Sequence, residues 1–166
     1  GELHDWVKPE YDLHNYTLDR IKSELYTANT LLKAVDGNTK RTYAYTCSNY
    51  KVEEDTSYIF VVQELFTAAR SDGPIPKSMA EVDVYFMPSW DVDGEDGKAL
   101  ITYVKEARKN GTVATFMFHS VGGGYLNVSI EALTELLTFL KDNEADYWVD
   151  TFQNVTEYIS LNNHQE

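Results

Sequence analysis

The chain of 166 residues reads as an α/β domain whose parallel strands are joined by right-handed crossovers. Three observations predict that class. About four short strand-like runs alternate with helical runs. The run 113–118 is apolar at nearly every position, the pattern of a strand covered on both faces. The helical runs carry apolar residues at three- and four-residue spacing and stop at glycine.

Residues 1–14, with Pro9, show no clean period and read as a loop. From Thr17 onward, Leu18, Ile21, Leu25, Ala28, Leu32 and Val35 form one apolar stripe, Asp19 sits in the first turn and Gly37 follows as a left-handed stop. Residues 41–47, alternating threonine, tyrosine and alanine, predict a strand, and 56–70 a helix. Val82, Val84, Phe86 and Met87 predict a second strand, followed by an acidic loop. Leu100, Val104 and Ala107 mark a helix that ends before Gly111, and 113–118 is the third strand. Beyond Gly122-Gly123-Gly124, Ser129 caps a helix with Ile130, Leu133, Leu137 and Leu140 on its core face. Residues 147–149 predict the last strand, and Phe152, Val155 and Ile159 a terminal helix. The first helix has no strand ahead of it. Either a βα unit is missing from the front, or the sheet is a self-sufficient four-stranded one.

Composition narrows the function. With 43% hydrophobic and 25% charged residues the chain predicts a single domain over 1–166 that buries about 70% of its unfolded surface, which excludes disorder. Against 27 acidic side chains stand 14 basic ones, and the net charge of −13 repels phosphate backbones, so nucleic acid is not an expected partner. No apolar run reaches the roughly 20 residues of a membrane span, and the first residues lack a signal-peptide pattern. A single cysteine, Cys47, excludes an internal disulfide framework and any multi-cysteine zinc site.

Parallel α/β sheets gather their chemistry at the carboxyl ends of strands. Those ends carry 47–50, 88–91, His119-Ser120 with the three glycines, and Asp150-Thr151. His119 is the sharpest candidate, an imidazole delivered to the rim where it can give or take a proton, against the plainer role of a structural histidine. Gly122 and Gly123 allow a ligand close to the backbone, while Trp90 and Tyr45 either stack on a sugar ring or roof the core. The spacing of the glycines is not that of a dinucleotide fingerprint. Cys47 with His119 is open as a thiol dyad, or Cys47 is a small hydrophobe. Asp91, Asp93, Glu95 and Asp96 invite calcium, but Asp96 takes the place of the glycine an EF-hand needs and Thr102 that of its glutamate, leaving a solvated acidic loop. His4 and His14 lack metal-ligand spacing, and His164 reads as tail. Asn-x-Ser/Thr triplets begin at Asn15, Asn110, Asn127 and Asn154 and matter only on a eukaryotic secretory route.

Two stretches carry a family resemblance. Within 6–49, Y-T-L-D-R-I and then A-V-D-G-N-T-K-R-T-Y-A-Y-T-C-S resemble the second half of a polysaccharide deacetylase of the NodB-homology type, a carbohydrate esterase family. F-M-F-H-S-V-G-G-G-Y-L-N-V-S and Y-W-V-D-T-F-Q-N-V-T-E-Y-I are similar to its closing strands and helices. The resemblance implies a distorted (β/α) barrel that removes acetyl groups from sugars with metal-activated water. It makes His119 the acid that protonates the leaving group and sets Met117 where a leucine lines the acetyl pocket. Residues 43–48 then match a groove wall that often reads F-R-P-P-Y-G, with Ala44, Thr46, Cys47 and Ser48 departing from it. Tyr45, Cys47, Trp90, Met117, Gly122 and Gly123 become the expected substrate-binding residues.

The family's T-F-D-D-G and H-S/T-x-x-H segments, which supply the base and the ligands of a zinc-like divalent metal, are not found in this sequence. The orphan first helix and the lost segments predict together that the chain is the carboxyl-terminal part of such a barrel. Alone, it is then expected to hydrolyse nothing and to bind no zinc tightly. The same incompleteness predicts exposed sheet edges and self-association through them. The resemblance also implies a carbohydrate partner and a periplasmic, envelope or secreted place of work. The alternative is a non-catalytic glycan-binding or scaffold domain that stacks sugars on Trp90, Tyr45 and Tyr125.

Overall fold

A computed structural model describes residues 8–162; His4, His164 and the start of the leading loop lie outside them. Two compact units make up the chain: one takes the residues up to Ser71 together with Val84–Phe86, the other Asp72–Asp83 and the residues from Met87 on.

In the first unit, 3-10 turns at Pro9–Tyr11 and Leu13–Asn15 lead into helix α1, Leu18–Asp36. The Thr17 hydroxyl accepts from the Arg20 N–H at 3.2 Å, satisfying one orphan donor of the first turn. At the other end Gly37, with φ 73°, turns the chain left-handed and donates to the Lys33 carbonyl. The stripe is only half used. Ile21 and Leu25 are buried, whereas Ala28, Leu32 and Val35 are exposed.

Strand β1, Thr42–Ala44, runs parallel to β4, Ala68–Arg70, with Thr42 opposite Ala68. Between them lie a two-residue antiparallel ribbon, β2 (Lys51–Val52) and β3 (Thr56–Ser57), and helix α2, Ile59–Leu65. The helix expected over 56–70 is therefore shorter. Alanine-rich 68–70 favours a helix locally, but pairing with β1 overrides that preference. The strand expected over 82–87 does not form either: a 3-10 turn at Met79–Glu81 precedes it, Met87 makes only an isolated bridge, and the Ala69 N–H donates to the Val84 carbonyl. The core packs Ile21, Leu25, Val52, Tyr58, Val61 and Val62 around an aromatic cluster.

The second unit begins its regular structure at β5, Trp90–Asp91, continues through α3, Gly97–Asn110, and returns in β6, Phe116–Met117, parallel to β5. Of the expected 113–118 strand only Phe116 and Met117 are paired, opposite Trp90 and Asp91. Next come β7, Ser120–Val121, β8, Asn127–Val128, α4, Ile130–Asp142, and α5, Phe152–Asn162. The Asp96 carboxylate caps α3 through the Ala99 N–H, and the Ser129 hydroxyl caps α4 through the Ala132 N–H. Three acids of the supposed calcium loop are thus occupied in shaping backbone, since Asp93 accepts from the Asn127 N–H at 3.3 Å and Glu95 from the Asp93 N–H at 2.6 Å.

Helices α3 and α4 build the core of this unit. Leu100 and Val104 pack with Ala132 and Leu136, and Val92 and Val128 close the space. The buried face of α4 is rotated from the expected one: Ile130 and Leu137 are exposed, because small Ala132 and Gly97 let the two helices approach along the neighbouring face. Residues 147–149 form no strand. Tyr147 packs against Phe139 at 5.5 Å, and Trp148 and Val149 stay at the surface. The chain is therefore α/β in the coarse sense, with helices and short parallel strand pairs, and the strands of the described residues do not close into a barrel.

Candidate functional site

The frame of the site is the β5/β6 pair. Trp90 N–H donates to the Thr115 carbonyl at 2.9 Å and Val92 N–H to the Met117 carbonyl at 3.2 Å, so both strands leave the ladder at the same, carboxyl, end. That is the end at which parallel sheets present ligand-handling groups. Met117 stands opposite Asp91, and His119 follows two residues later.

The His119 backbone is fixed by its N–H to the Leu126 carbonyl at 3.0 Å, while the imidazole is exposed and meets Tyr125 edge-on at 5.6 Å. A glycine loop makes this return possible. Gly122, Gly123 and Gly124 have φ of 79°, 143° and 102°, and together with Leu126 at 44° they coil the chain tightly enough for β8 to pair parallel with β7. A parallel pair ordinarily needs a crossover of a dozen or more residues. Here five suffice because the backbone enters regions closed to most side chains.

Beside Trp90 opens a cleft of about 380 Å³. Trp90 and Tyr103 form its aromatic wall, Asp72 and Asp91 are its carboxylates, and Gly73, Pro74 and Ser89 complete the lining. The indole lies 4.9 Å from the Tyr103 ring, which in turn lies 5.1 Å from Phe116. Burial, with a smaller push from Glu106, raises the Tyr103 hydroxyl to about 12, so it remains a protonated donor at any physiological pH. An apolar wall with a few converging polar groups is the ordinary make-up of a small-ligand site.

The other expected residues are placed as follows. Tyr45, only 3% exposed, is inside the first core, stacked on Phe86 at 5.3 Å. Of the two roles open to it, the structure gives it the roof of that core. Cys47 is exposed in a left-handed turn at φ 49°. Both belong to the first unit, whereas Trp90, Met117, His119, Gly122 and Gly123 belong to the second. Sequence reasoning missed Tyr103 and Asp72. Tyr103 is one position off the Leu100–Val104 stripe, which would have placed it at the margin of the buried face. Asp72 lies just past β4, and reading 68–70 as a strand would have brought it to a strand end.

Among the described residues, no group of three or more His, Cys, Asp or Glu side chains gathers so as to hold a metal ion. Among the described residues no ligand set forms for the divalent metal that the resemblance implies. Nor is any described helix long and apolar enough to cross a membrane. Comparison of the chain with protein-family models, with curated proteins and with solved structures finds no match.

Proposed function

We propose that the chain acts on acetylated carbohydrate as a polysaccharide deacetylase-like hydrolase, with His119 giving the proton to the leaving group. One observation carries the reading: a cleft walled by Trp90 and Tyr103, with Asp72 and Asp91 in its lining, lies along β5, and the parallel partner strand β6 runs on to His119 two residues past Met117. A pyranose ring has apolar C–H faces that stack on Trp90 and hydroxyls that hydrogen-bond to Asp72 and Asp91. When the acetyl C–N or C–O bond breaks after addition of water to the carbonyl, the imidazolium of His119 protonates the departing nitrogen or oxygen and is left neutral. In this reading the parallel pairs are pieces of a NodB-type (β/α) barrel, and the protein works in the periplasm, at the envelope or outside the cell.

A non-catalytic glycan-binding role is the second reading, and the cleft favours it equally, since an aromatic wall with two carboxylates binds a sugar without turning it over. Acetate release from acetylated chitooligosaccharides and acetylated xylan, with and without added zinc, separates the two. Release that falls at least about 100-fold in His119→Ala supports the deacetylase, in line with the loss of a general acid. Quenching of tryptophan fluorescence that needs Trp90, without acetate, supports the binding module. Acetate release by the chain alone also overturns the expectation that it hydrolyses nothing; if neither release nor quenching occurs with any of these sugars, both readings fall.

A further inference from the structure

The second unit carries another aromatic surface that shares no residue with the cleft. Trp148, in the segment after α4, and Tyr158, on α5, are 56% and 55% exposed, and their rings meet at 5.2 Å with planes 70° apart. Polar groups flank them. Thr151 caps the first turn of α5 by accepting from the Asn154 N–H at 3.2 Å. The Asp150 carboxylate accepts from the Thr151 N–H and from the Asn154 amide, each at 2.7 Å. These bonds, the Thr151 N–H foremost, keep Asp150 below the usual aspartate range. The indole is thus braced by the Tyr158 ring while more than half of its surface faces solvent. A ring fixed in advance gives up little rotamer freedom on meeting a ligand.

We propose that Trp148 and Tyr158, flanked by Asp150 and Asn154, form a second carbohydrate platform that holds a neutral pyranose unit of a glycan chain. The two rings at a steep angle offer a stacking face and a side wall to the C–H surface of a sugar, and the carboxylate and amide at their edge suit its hydroxyls. Other occupants fit less well. A net charge of −13 opposes a second copy of this chain and any acidic partner. The apolar patch of Trp148, Val149, Tyr158 and Leu161 supplies roughly half of the about 800 Å² per partner that a stable protein interface covers. The choice of sugar rests on the function proposed above, whereas the restraint of the rings stands independently of it.

The indole N–H resonances of the ¹⁵N-labelled protein, followed while N-acetylchitohexaose or xylohexaose is added, test this. The Trp148 signal is expected to move in the wild type and in Trp90→Ala alike. Trp148→Ala should weaken hexasaccharide binding by about tenfold or more, and Tyr158→Phe, which keeps the side wall, by less than about twofold. Movement of Trp90 alone overturns the platform and leaves the cleft standing. Movement of Trp148 alone supports the platform and overturns the cleft. No movement of either signal with either sugar overturns both.

Discussion

A methyl group on Gly97, at the start of α3, would lie 2.6 Å from the Cβ of Glu135 on α4, closer than two such atoms come. Because that atom sits near the α4 backbone, the clash cannot be relieved by swinging a side chain. Gly97→Ala is therefore expected to cost about 1–3 kcal/mol, read as a lower denaturant midpoint at unchanged slope. Carboxylates respond to pH in a stated direction. The Arg41 guanidinium, then the Asn38 N–H, holds Asp36 below its ordinary 3.8, and hydrogen bonds do the same for Asp12 and Asp150. A lowered folded value means that the contribution is complete above 3.8 and is lost as the pH falls through the folded value. Thermal melts should accordingly be level from pH 7 to pH 5 and drop below about pH 4, with part of the drop missing in Asp36→Asn; an equal drop in that variant would remove the assignment. At this scale the sequence told chemistry better than place. His119 and Trp90 were readable as strand-end groups, but whether Tyr45 faces a ligand or a core depends on Phe86, Tyr50 and Tyr58, distant in the chain.

Helices α3 and α4 hold the second unit together through Leu100, which is fully buried. Leu100→Ala should destabilise by about 2–5 kcal/mol, the range for a buried leucine whose neighbours relax only in part. Equilibrium unfolding would show it, and a loss below about 1 kcal/mol would mean that the two helices do not share a core as described. Helices α1 and α4 were readable because their determinants are local: Thr17 and Gly37 bound α1, Ser129 begins α4, and Gly111 likewise ends α3. Strands were read poorly for the opposite reason. Residues 68–70 extend only because Thr42–Ala44 lies alongside, and 147–149 lack any such neighbour despite an apolar, aromatic sequence. The buried face of α4 escaped notice because Leu133, Leu136, Leu137 and Leu140 leave several faces apolar, and the small size of Ala132 decides among them.

Across the molecule, 27 acidic side chains against 14 basic ones leave the folded state working against its own charge. Sodium chloride raised from about 20 mM to about 500 mM should increase the melting temperature by a few degrees through screening, and a fall in melting temperature would count against that account. The α/β class was visible from the alternation of patterns, whereas the two separate cores were not, since hydrophobic periodicity reports that a face is buried and not against what. The glycine coil after His119 bears on how the chain folds in time. Ser120 finds its partner Asn127 almost next to it, whereas Thr42 must wait for Ala68. Closing so short a loop takes on the order of 10–100 ns, and the entropy of closure grows with length. The glycine turn is thus expected to assemble early and by itself, and pulsed hydrogen exchange should find the Gly122 amide, bonded to the Val128 carbonyl, protected before that of Ala69.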